Sequence, residues 1–121
     1  MDWRIKLLGR DLRVELSAAA VRALEARAEP LHVEMELYFS CLIRKRVLFD
    51  RPPRAEAVRI GHGPGLSLGF RPVMSRGGCA VADTDPEDML VDLPTGEPQR
   101  FVPHWLRLDY RHGTWRGEFG Y

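Results

Sequence analysis

The chain has 121 residues, of which 45% are hydrophobic and 29% charged. That composition excludes a disordered tail, and the length excludes a two-domain enzyme with a separate cofactor domain. Eighteen Lys and Arg oppose 17 Asp and Glu, a formal charge of +1 at pH 7, whereas a dedicated nucleic-acid binder or a polybasic membrane anchor would show a basic excess.

Residues 1–16 read as a β-hairpin. Gly9-Arg10 suits a two-residue type II′ loop, which would pair Leu7 with Leu12, Ile5 with Val14 and Trp3 with Leu16, all apolar and on one face. Ser17 is a good helix N-cap. Ala18 to Glu29 follow as the main helix, with Val21, Leu24 and Ala28 at helical spacing, and Pro30 stops it. The helix is expected to pack one face on a sheet.

From Leu31 to Phe49 the odd positions are apolar, broken only at Lys45, and the even positions are mostly polar, a period of two over nineteen residues. As one straight strand this stretch would reach about 60 Å at roughly 3.3 Å per residue. A compact domain of this length has a radius of gyration of only about 14 Å. With no Gly, Pro or Asn inside it, residues 31–49 must bend, bulge near Ser40-Cys41, or project to a second subunit.

Ala57–Ile60 and Leu66–Phe70 read as short strands around the loop Gly61–Gly65. Ser75-Arg76-Gly77-Gly78 turns the chain into Cys79–Ala82, a buried strand. Asp85-Pro86-Glu87-Asp88 has the cap, proline and acidic first turn of a helix start, the helix ending before Pro94. The last hairpin has His112-Gly113 as its loop. It pairs Tyr110 with Trp115, Leu108 with Gly117 and Leu106 with Phe119, while Asp109 meets Arg116 and Arg107 meets Glu118 on the other face. The fold expected is a β-rich α+β single domain, an antiparallel sheet of hairpins with one main helix packed on it.

Few residues point to chemistry. Neither glycine loop matches a phosphate- or dinucleotide-binding motif, so no cofactor is expected. His32, His62, His104 and His112 lack metal-ligand spacing, and the acidic run Asp83–Asp88 fails the EF-hand pattern. Cys79, beside Arg76 and with His62 on the other glycine loop, is a candidate catalytic thiolate. Arg44 and Arg46 share a strand face with Tyr38, a pattern that could lie on nucleic acid, although Glu34 and Glu36 on that face oppose it and edge-protecting charges explain it as well.

With no C-x-x-C motif, and with neither an apolar membrane span nor a signal-like start, a reducing cytoplasm is the expected location, and Cys41 and Cys79 are expected as free thiols. The leading functional expectation is a non-catalytic binding or assembly module. It is expected to be homodimeric, self-associating along the apolar face of residues 33–49 or binding another protein. The alternative is a small enzyme or ligand-binding protein with its site between the Gly61–Gly65 and Ser75–Cys79 loops, built on His62, Arg76 and Cys79.

Overall fold

The computed structural model describes residues 1–39, 42–53, 56–61, 65–75 and 90–121. Strands β1 (Asp2–Leu7) and β2 (Arg10–Leu16) form the first hairpin. Its loop is Leu8-Gly9 rather than Gly9-Arg10. Both loop residues take positive φ, 50° and 79°, the type I′ geometry whose twist matches the flanking strands. Trp3 therefore faces Val14 and Ile5 faces Leu12, two residues from the expected register. A slip of two keeps each side chain on its own face, so the apolar set still points inward.

Helix α1 (Ala18–Glu25) is capped by Ser17, whose Oγ accepts from the Ala20 N–H at 3.1 Å. It ends four residues earlier than expected: the Arg27 N–H bonds the Leu24 carbonyl at 3.2 Å, a tighter turn that closes the helix, and the Arg27 guanidinium reaches Asp50, 2.8 Å away. Ala20 and Leu24 carry the helix into the core, where it packs on β2 and β8 (Trp105–Arg111).

The alternating stretch is two strands, β3 (Leu31–Phe39) and β4 (Ile43–Phe49), paired antiparallel with Phe39 opposite Ile43 and Val33 opposite Phe49. Neither one bent strand nor a projecting arm forms. The reversal leaves three residues between paired strands, and an odd loop preserves parity. The period-2 pattern therefore crosses it unbroken and hides it.

β5 (Val58–Ile60) and β6 (Leu66–Ser75) follow, then β7 (Leu90–Asp92). The expected strand at 79–82 and the helix start at 85–88 lie outside the described residues. The end of that expected helix, 90–92, is strand. It is zipped to β6 by Val73 opposite Asp92, by the Leu93 N–H on the Pro72 carbonyl at 3.0 Å and by an Arg71–Asp92 ion pair. After a short 3₁₀ turn at Pro98–Phe101, β8 and β9 (Thr114–Gly120) close the second hairpin in the expected register throughout. His112 and Gly113 both sit at positive φ.

The result is β-rich α+β, built as two mixed sheets in the orders β1-β2-β8-β9 and β4-β3-β6-β5, with β7 beside β6. The hairpins pair antiparallel as expected, but β2 joins β8 and β3 joins β6 in parallel. The inner faces of the two sheets share one core. Phe70 meets Phe119 edge-on at 6.5 Å, and Phe49 stacks on Trp115 at 6.1 Å. Gly117 lets the sheets approach: a Cβ there would stand 2.8 Å from Val47 Cγ1. Among the described residues no helix is long and apolar enough to cross a membrane.

Candidate functional site

The odd positions of β3 supply the core, yet its even positions are buried as deeply. His32, Glu34, Glu36 and Tyr38 are 4%, 5%, 3% and 3% exposed. They lie on the face of the second sheet turned away from the first. Register sets this face in rows. Arg59, Ser67 and His32 run across β5, β6 and β3. Next come Gly69, Glu34 and Leu48, and then Arg71, Glu36 and Arg46.

The first two rows join through one imidazole. His32 Nδ1 lies 2.8 Å from Ser67 Oγ, and His32 Nε2 lies 2.8 Å from Glu34 Oε2. Ser67 is itself 5% exposed. Gly69 leaves the space that the carboxylate occupies, since a Cβ there would stand 2.5 Å from Glu34 Oε2 and 3.4 Å from His32 Cε1. With Glu34 ionised, a carboxylate that only accepts, Nε2 carries the ring proton and Nδ1 accepts from the Ser67 hydroxyl. A serine bonded to an imidazole that a carboxylate orients has the connectivity that makes a hydroxyl nucleophilic.

His32 and Ser67 lie in the wall of a cleft of about 440 Å³, which Arg27, Arg51, Arg59, Glu29 and Asp50 also line. Asp50 shapes it. At φ 58° it turns the chain out of β4, donating its N–H to the His32 carbonyl at 3.0 Å and binding Arg27 through its carboxylate.

The Arg44, Arg46 and Tyr38 group does share one face, but Tyr38 is not open to a base. The Arg46 guanidinium lies over its ring at 5.5 Å and donates to Glu36 Oε1 at 2.6 Å. Arg44 and Lys45 stand exposed on β4, the edge strand of its sheet, where charge blocks edge-to-edge pairing.

His62, Arg76 and Cys79 lie outside the described residues, as do Cys41 and Asp83–Asp88. The described flanks of the two glycine loops, Gly65 and Ser75, sit at opposite ends of β6, roughly 30 Å apart at strand rise. Among the described residues no group of three or more His, Cys, Asp or Glu is placed to hold a metal. A second cleft, about 560 Å³ beside Glu15, Asp109 and Arg107, is a charged face. Several of its groups are paired, Arg107 with Glu15 at 2.9 Å and Ser17 with Asp109 at 2.6 Å.

Sequence reasoning did not single out the His32–Ser67–Glu34 group. His32 and Glu34 are two apart on a strand, a visible signal, but Ser67 joins them only through the parallel β3–β6 pairing, which nothing local announces. The group defines the chain as a two-sheet α+β protein with a buried polar triad opening on a cleft. Comparison with family models, with curated proteins and with solved structures finds no match.

Proposed function

We propose that the chain is a binding module for a small polar molecule received in the cleft walled by His32 and Ser67. One observation carries this reading: β3 is buried on both faces, yet only one face is apolar. Buried polar groups cost stability unless fully hydrogen-bonded, and a purely structural strand in that position would be apolar on both sides. Departures of this kind gather at functional sites. Charged side chains of both signs, Arg27, Arg51, Arg59, Glu29 and Asp50, line the walls and suit a polar ligand. Saturation-transfer NMR with a panel of small carboxylic acids, amino acids and polyols tests the reading. A ligand whose signal disappears with Ser67→Ala and with His32→Ala supports it. No signal from any member, or signals indifferent to both substitutions, refutes it.

Self-association is a second reading, narrower than the sequence suggests. Some of Leu37, Phe39, Ile43, Val47 and Phe49 are expected to find cover on a second copy; within the chain Leu37 is buried, and Phe39, Val47 and Phe49 pack partly buried against the core, Phe49 on Trp115. What supports a dimer is the hairpin tip, where Leu42 and Ile43 are 64% and 63% exposed. Sedimentation at low micromolar concentration decides it: Ile43→Asp should halve the mass of a dimer, and a native monomer ends the reading.

A further inference from the structure

We propose that Ser67 is a nucleophile, with His32 as its general base, and that the cleft hydrolyses a small carboxylic ester. The proposal rests on the cleft being a ligand site and names the chemistry that site performs. Ser67, 5% exposed, and His32 both line the 440 Å³ cleft, and His32 Nδ1 lies 2.8 Å from Ser67 Oγ. As the bond from Oγ to the acyl carbon forms, the hydroxyl proton passes to Nδ1. The imidazolium so made faces Glu34 Oε2 at 2.8 Å, with both groups at most 5% exposed, a setting in which attraction is weakly screened. The ester C–O bond then breaks and the departing alcohol takes the Nδ1 proton. Water adds to the acyl-serine, giving a proton to Nδ1. The C–Oγ bond breaks, Oγ recovers the proton, and a carboxylic acid leaves. Ester and water are consumed; acid and alcohol are formed.

The parts are held in place before a substrate arrives. Both ring nitrogens are engaged, so the imidazole cannot turn without breaking a bond. Ser67 and His32 are register partners on adjacent parallel strands, which fixes their separation through the backbone. Gly69 keeps the space in which Glu34 reaches the ring, and Glu34 is a positioning residue. Arg59, across from Ser67 in the β5–β6 register, lines the same cleft.

The test is reaction of the full chain with diisopropyl fluorophosphate, which phosphorylates an activated serine with loss of fluoride, followed by intact mass and peptide mapping. One adduct, on Ser67, is expected. Ser67→Ala should abolish it, and His32→Gln should slow it at least 10-fold, as loss of a general base does. Glu34→Gln should slow it as well, and the ¹⁵N shifts of the His32 ring should leave the Nε2–H pattern of the native chain, a change that a merely structural Glu34 would not produce. No adduct on the native chain, or an adduct on another residue, overturns the nucleophile. If the NMR panel still finds a ligand dependent on Ser67, the binding reading then stands alone; if it finds none, both readings fall. Should Ser67→Ala fail to fold, Ser67→Cys replaces it: its thiol should react with iodoacetamide faster than in the unfolded chain, and a slower reaction overturns the proposal.

Discussion

Gly69→Ala tests whether the His32–Glu34 contact is as tight as it looks. The new Cβ would stand 2.5 Å from Glu34 Oε2 and 3.3 Å from its Cδ. The methyl group has no room unless the carboxylate retreats. Glu34 is a long side chain and can swing, but a retreat approaching 1 Å forfeits its 2.8 Å bond to His32. A hydrogen bond involving a charged group contributes about 1.5–3 kcal/mol net. Against this, replacing glycine inside a strand returns about 0.5–1 kcal/mol of backbone entropy. A net loss of about 1–2 kcal/mol follows, lowering the melting temperature by roughly 3–8 °C for a chain this long. Urea and thermal melts measure it, and a double-mutant cycle isolates the cause: in a Glu34→Ala background the same substitution should be neutral or stabilising. An unchanged or raised melting temperature in the otherwise native chain would refute the reasoning. So would an equal loss in both backgrounds, which would place the clash in the backbone.

Phe119, 1% exposed and edge-on to Phe70, should cost about 3–5 kcal/mol when cut to alanine; a thermal melt that did not move would place the inter-sheet core elsewhere. Gly117→Ala would set a methyl group 2.8 Å from Val47 and 3.0 Å from Leu108, overpacking worth about 1–3 kcal/mol in a urea melt. Ser17→Ala should remove a helix cap, about 1 kcal/mol by denaturant titration. The same hydroxyl, followed by the Tyr110 N–H, holds the Asp109 carboxyl below its ordinary range. A depressed carboxyl stabilises the fold above its unfolded pKa and loses that contribution as pH falls through the folded one. Carboxyl ¹³C titration should therefore show Asp109 protonating at higher pH in Ser17→Ala, with a smaller loss of stability on acidification.

What the sequence made legible was local. In the last hairpin a two-residue loop, an aromatic pair and two opposite-charge pairs agree on one register, and that register forms. The first hairpin has only apolar pairs on its inner face, which a shift of two leaves equally satisfied, so its faces were legible and its loop was not. Helix α1 could be started at its Ser17 cap but not ended: the chain leaves the helix at Ala26, where no Gly or Pro marks the place. The β3–β4 reversal lay hidden behind unbroken parity. The candidate site was the least visible part. Alternation marks one face of a strand as polar, and polar is ordinarily wet. Nothing in residues 31–39 discloses that the His32 and Glu34 face is as dry as its opposite, or that Ser67 arrives beside it.

The parallel joint between β2 and β8 sets the order in which the molecule can form. Val14 meets Leu106 across 92 positions of chain. Closing so long a loop costs on the order of 4 kcal/mol in chain entropy before any contact compensates, and topologies of this kind fold slowly. Until β8 has been made, the β1–β2 hairpin has no neighbour along β2, and Leu12, Val14 and Leu16, which end fully covered, wait in water. A nascent first hairpin that presents a bare apolar face for the whole interval is the species most exposed to association with other chains. Charges along its opposite face, Arg4, Lys6, Asp11 and Arg13, are then its protection during that wait.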